Sequence, residues 1–243
     1  IESGYNIKAL SQKGARGIWQ LMPLTAKIYG IKMNHILDER MDIEKSTNAA
    51  FQYIKSLSEM FNNNWELVLA SYNGGGSYIS SQIRKHKETN FWKLCKINGF
   101  KSETLEFVPR FYAVLQIIKN PTCYGLKKIR LKSQISFDKV RVSKNIKLKT
   151  LSRGTSIPKD ILKELNPHLK VNIALKKTNL YIPLNMKKLV LKRIRNVRNY
   201  KVTHLKRKEY KLVRLKRKYR KRNIKKRKIV AIKTRIHILT YRV

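Results

Sequence analysis

Four short blocks carry groups suited to acid–base chemistry and to holding a hydroxyl-rich ligand. Glu2-Ser3 follows Ile1 at the head of the sequence. Residues 14–23 read Gly-Ala-Arg-Gly-Ile-Trp-Gln-Leu-Met-Pro, residues 70–76 Ala-Ser-Tyr-Asn-Gly-Gly-Gly, and residues 106–111 Glu-Phe-Val-Pro-Arg-Phe. A carboxylic acid can hand a proton to a poor leaving group when apolar surroundings raise its pKa toward neutrality. Glycosidic oxygens are leaving groups of that kind, so Glu2 is the candidate acid. Hydrolases usually add a second carboxylate as nucleophile or base; none is assigned here. Amides both donate and accept, which suits sugar hydroxyls and N-acetyl groups, and Gln20 and Asn73 are the amides of these blocks. On residue type alone each has a plainer reading. Glu2 could be a solvated helix residue. Gln20 could serve a cap or loop, Asn73 a helix C-terminal turn, and Ser3 a surface position. Met22 and Tyr72 could pack a core, and Trp19 reads as core filling ahead of stacking on a sugar.

The elements that must position these groups are helical up to residue 125. From Ser46 to Phe61 the apolar Ala49, Ala50, Tyr53, Ile54, Leu57 and Met60 recur at helical spacing, with Ser46 or Thr47 as cap. Trp65–Tyr72 continues as a second helix, stopped by the three glycines. Ile79–Lys87 reads as a third. Thr104–Lys119 reads as a fourth, with Pro109 in its first turns and Pro121 just past its end. No period-2 run of any length precedes residue 126. Beyond it the pattern changes. Phe137–Val142 alternates like a strand, Leu148–Ser152 and Pro158–Leu165 read as short helices, and Leu180-Tyr181-Ile182 reads as a second strand.

Charge divides the 243 residues further. Residues 1–125 hold 16 Lys+Arg against 10 Asp+Glu, residues 126–185 hold 15 against 3, and residues 186–243 hold 25 against 1. A hydrophobic fraction of 42% excludes wholesale disorder. The last segment, with runs such as Lys225-Lys226-Arg227-Lys228, repels itself and is expected to be a poorly ordered basic tail. Cys95 and Cys123 exclude a disulfide framework and a four-thiolate zinc site, leaving a single bridge open. The five histidines show no ligand spacing, so no metal is expected. Gly74-Gly75-Gly76 lacks the strand-then-helix context of a phosphate loop, so no cofactor is expected either.

Taken together and in this order, the four blocks resemble the catalytic domain of the family 1 (SLT-type) lytic transglycosylases, most closely the membrane-bound type D branch. Asp38-Glu39-Arg40, Phe91-Trp92 and Asn120-Pro121 share that likeness. Leu162-Lys163-Glu164-Leu165-Asn166-Pro167 resembles a motif of LysM modules, which bind N-acetylglucosamine-containing glycans. The resemblance implies a mainly α chain. A lysozyme-like helical domain at 1–125 is followed by a small α+β, degenerate LysM-like module at 126–185 and the basic tail at 186–243. It implies a lyase that cuts the β-1,4 bond between N-acetylmuramic acid and N-acetylglucosamine and leaves 1,6-anhydromuramyl ends. Glu2 acts as acid and then base, while Ser3, Gln20, Met22, Tyr72, Asn73 and Phe107 contact substrate.

Two departures accompany the likeness. The family offers tyrosine where Phe107 stands, and only Ile1 precedes Glu2, so an upstream helix and a membrane anchor are expected to be missing. Both point to impaired turnover. The alternative is therefore a weakened peptidoglycan-binding relative, and the third reading, resting on charge alone, is a basic nucleic-acid-binding protein. Peptidoglycan strands are the expected partner, acting on a monomer in the periplasmic cell envelope near the outer membrane. An anionic membrane or wall polymer is a second partner for the tail, nucleic acid ranks last, and compositional drift is the leading account of the tail itself.

Overall fold

The computed structural model describes residues 2–97, 100–126 and 136–200. The tail from 201 onward, with the expectations placed on it, lies outside the described residues.

The N-terminal unit is helical. A looped segment, residues 2–22, leads into α1 (Pro23–Ile28), a 3-10 turn (Glu39–Met41), α2 (Ile43–Met60), α3 (Trp65–Gly74), α4 (Gly76–His86), α5 (Phe91–Leu94) and α6 (Ser102–Lys119). The expected helices are present with shifted ends. Asp42, and not Ser46 or Thr47, caps α2, its carboxylate accepting from the Lys45 amide at 3.1 Å. Ser46 is instead buried inside the helix. Asn64 caps α3 in the same way. The glycines do not end helical structure; they break it once, at Gly75 (φ +98°), and α4 starts at the next residue. Because α6 begins two residues earlier than its pattern suggests, Pro109 falls in the helix interior, where it lacks the N–H that would bond the Leu105 carbonyl.

The core of this unit joins α2, α3, α4 and α6 through Leu57, Leu67, Val68, Ile79 and Val108, closed at one end by Phe91, Leu94 and Phe100. Gly74 lies so close to Thr104 that a Cβ there would stand 2.8 Å from its hydroxyl, so α3 and the start of α6 meet almost backbone to side chain.

The second unit holds β1 (Phe137–Arg141), β2 (Ile146–Lys147), α7 (Leu148–Ser152), α8 (Lys159–Leu165), β3 (Ile173–Ala174), β4 (Asn179–Pro183) and α9 (Lys187–Asn196). β1 and β4 pair antiparallel, with Val140 opposite Leu180, and β2 pairs with β3. Successive strand residues point to opposite faces. Leu180 and Ile182 enter the unit's own core, and Tyr181 faces the N-terminal unit. Pro158 stands at the cap of α8, one place before the helical position expected for it. Asn166 of the Leu-Asn-Pro motif is buried structural glue. Its amide donates to the Leu162 and Tyr181 carbonyls (2.8 and 2.6 Å) and accepts from the Tyr181 N–H at 2.8 Å.

One expectation is corrected outright. The basic tail expected at 186–243 is not poorly ordered over its described part: 187–196 form α9, and Val190 and Ile194 are buried in the core of the second unit. Each contributes about 1.5–3 kcal/mol of burial, which offsets the repulsion among the lysines and arginines on the exposed face. Cys95 and Cys123 are free thiols.

Candidate active site

A cavity of about 460 Å³ opens in the N-terminal unit between the first loop, α3 and α6. The loop brings Glu2, Ser3 and Trp19, α3 brings Trp65, Val68 and Tyr72, and α6 brings Phe107, Phe111, Val114, Leu115 and Ile118. The α6 residues recur every three or four positions, so one helix face forms a continuous apolar wall.

Glu2 is half-buried among these groups. Burial, reinforced by the negative charge of Glu103, pushes its carboxyl up to about 7, because low-dielectric surroundings disfavour the charged form. Such a group holds its proton near neutral pH and can also give it up. The two other acids near the fourth block are turned to solvent and paired: Glu103 with Lys13 at 3.0 Å, and Glu106 with Arg110. Neither lines the cavity, and among the described residues Glu2 is its sole carboxylate.

The loop around Glu2 is held by its own carbonyls. Ser3 Oγ donates to the Ile18 carbonyl at 2.8 Å. Tyr72 Oη donates to the Trp19 carbonyl at 2.7 Å, and burial together with the charge of Glu2 raises the Tyr72 phenol above its ordinary range. Trp19 Nε1 donates to Thr47 Oγ1 at 2.8 Å, while the side chain packs against the small core of Leu21, Ala26, Ile31, Ala49 and Ala50 and also borders the cavity. The core-filling reading of Trp19 therefore holds, and the residue also borders the cavity.

Glu2, Ser3, Tyr72 and Phe107 share the cavity, whereas Gln20, Met22 and Asn73 are not among its lining residues. Gln20, at a positive φ of 44°, turns its amide back to the Gly17 carbonyl at 2.7 Å. Asn73 accepts from Thr104 Oγ1 at 3.0 Å. Met22 caps α1 and is exposed. The hydroxyl of Ser3 is spent on backbone, so it does not approach substrate as donor without leaving that bond. Trp65 and the α6 residues beyond Phe107 carry no site signal in the sequence, because an apolar stripe at helical spacing reads as core. The exposure of Trp65 at the head of α3 was the remaining signal, and it is a structural one.

Comparison with known proteins follows the same lines. Residues 1–95 match the Transglycosylase SLT domain family, and residues 136–193 match the "Lytic transglycosylase MltD, LysM-like domain" family. The membrane-bound lytic murein transglycosylase D of Escherichia coli K12 is 30% identical over 174 residues, covering 70% of this chain, and the protein of that name from E. coli O6:H1 matches equally. The chain spans 38% of the length of these relatives. Among solved structures, the lytic transglycosylase Slt of Pseudomonas aeruginosa is 22% identical, with a TM-score of 0.41, covering 52% of this chain and 21% of that one. The α6 wall of the cavity lies beyond the residues matched to the SLT family. Among the described residues no cluster of His, Cys, Asp and Glu could hold a metal ion, and no helix is long and apolar enough to cross a membrane.

Proposed function

We propose that this chain cleaves peptidoglycan by lytic transglycosylation, with Glu2 moving the proton in both halves of the reaction. Protonated Glu2 donates to the oxygen between N-acetylmuramic acid and N-acetylglucosamine, and the C1–O bond breaks with a free hydroxyl as the leaving group. The Glu2 carboxylate then takes the proton of the C6 hydroxyl as O6 bonds to C1, giving a 1,6-anhydro end with no water consumed. Glu2 finishes protonated, ready for the next bond. The observation that carries this reading is a carboxyl, lifted to about 7 by burial, in an apolar cavity that among the described residues holds no second carboxylate to act as nucleophile. The remaining candidates serve it differently. Ser3 and Tyr72 fix the loop beside the acid, Phe107 shapes the wall, and Gln20, Met22 and Asn73 act through the segments they stabilise unless substrate draws them in.

Digestion of intact sacculi tests this. The wild-type chain is expected to release anhydro-ended muropeptides, and Glu2→Gln to release none; equal product from both would end the assignment. A weakened relative is the second reading. It is favoured by Phe107, which is buried at the cavity wall and brings no hydroxyl there. For the second unit we propose peptidoglycan binding, and for the chain a place in the cell envelope on the periplasmic side.

A further inference from the structure

The seam between the two units leads by short steps to the loop beside Glu2. Leu37 belongs to the N-terminal unit, yet it is 2% exposed inside the core of the second unit. Its neighbours pair with residues 168–170 as a two-sided bridge. The Lys170 amide donates to the Ile36 carbonyl at 2.8 Å, the Asp38 amide to the His168 carbonyl at 2.9 Å, and Leu37 lies opposite Leu169. Tyr181 Oη adds a bond to Asp42 at 2.7 Å. The docked unit therefore fixes the backbone from which Asp38 projects.

Asp38 and Arg40 are both buried and meet as a two-pronged pair, Nε to Oδ1 at 3.0 Å and Nη2 to Oδ2 at 2.9 Å. Such pairing fixes the guanidinium plane as well as its position. The remaining nitrogen, Nη1, reaches the two ends of the 14–21 loop, donating to the Gly14 carbonyl at 2.7 Å and the Leu21 carbonyl at 3.1 Å. Gly17, midway along the loop, rests on the Arg40 carbonyl, where a Cβ would stand only 2.0 Å away. The next two carbonyls, of Ile18 and Trp19, are those that hold Ser3 and Tyr72.

We infer that Asp38 and Arg40 are positioning residues, and that docking of the LysM-like unit holds the 14–21 loop in the form that walls the acid. The second unit then acts on cleavage by ordering the site, separately from any grip it has on glycan. The effect on turnover rests on the proposed function; the effect on loop order does not.

The test uses the full chain. Amide hydrogen exchange is followed at Arg16, Gly17 and Gln20, whose N–H groups bond within the loop region, and at amides in the middle of α2 as reference. Three variants are compared with wild type: Leu37→Ala and the gentler Tyr181→Phe at the seam, and Arg40→Lys, which keeps the charge and loses the fork. Exchange at the three loop amides is expected to quicken about tenfold or more in Leu37→Ala and Arg40→Lys, and less in Tyr181→Phe, with the α2 amides unchanged. In the sacculus assay the same two variants are expected to lose about tenfold or more in kcat. The alkaline limb of their pH–rate profile should move to lower pH as water reaches Glu2, a shift that mere loss of folded protein does not produce. Unchanged loop exchange in Leu37→Ala and Tyr181→Phe, or quickening spread equally over loop and α2, overturns the inference. Should wild type make no anhydro product, the functional reading fails while the exchange data still decide the coupling.

Discussion

The acid should betray itself in stability as well as in turnover. Unfolded, the Glu2 carboxyl titrates near 4.5; folded, burial holds it at about 7. Between those values the folded chain keeps a proton that the unfolded chain has released. Glu2 thus contributes stability that is fully present below pH 4.5 and is lost as pH rises through 7. Glu2→Gln does not titrate, so the variant should gain on wild type across that window and hold the gain above it. The full shift corresponds to about 3 kcal/mol, and allowing for the part of the carboxyl that still meets water brings the expected gain to about 1–3 kcal/mol at pH 8. At pH 6 a carboxyl titrating at 7 is ~90% protonated, against ~3% for an ordinary one, so activity should persist there and fall about tenfold per pH unit well above 7. Urea unfolding of both proteins at pH 4 and pH 8, followed by tryptophan fluorescence, measures the gap. A stability difference that is the same at both pH values, or that favours wild type more at pH 8, would refute the claim that Glu2 is held protonated by burial.

Two further substitutions probe the wall and the second unit. Phe107→Tyr restores the hydroxyl that the family places there, and one added hydrogen bond of about 0.5–1.5 kcal/mol should raise kcat/KM on sacculi about 2–10-fold; no gain in a folded variant would show that the missing hydroxyl is not what limits turnover. Ile194→Ala removes a side chain fully buried in the core of the second unit and should cost about 2–5 kcal/mol in urea unfolding. A cost near zero would mean that α9 is not packed there.

The helices of the first unit were legible because their apolar residues recur at one period over many turns, as in α2 and α6. Their ends were less so. Asp42 caps α2 seven residues before Ala49, where the apolar repeat begins, and a cap is chosen by local backbone geometry that the periodic pattern does not encode. α9 was hidden by its charge: Val190 and Ile194 supply a narrow buried stripe in a segment otherwise crowded with lysine and arginine. At the site, block order brought Glu2, Ser3, Tyr72 and Phe107 to one cavity, since it fixes which segments are neighbours. It does not fix where each side chain turns. Gln20 and Asn73 sit in those segments with their amides bonded to Gly17 and Thr104. Trp65, Phe111 and Leu115 look like core residues in sequence because a lined cavity and a filled one share the same apolar stripe.

The far wall of the cavity, Phe107 to Ile118, stands on a helix beyond the matched SLT residues. A shortened version ending at residue 95 would therefore leave Glu2 beside a one-sided trough flooded by solvent, its acidity relaxed to that of any surface glutamate. The smallest piece fit to test the proposed cleavage has to run through Lys119.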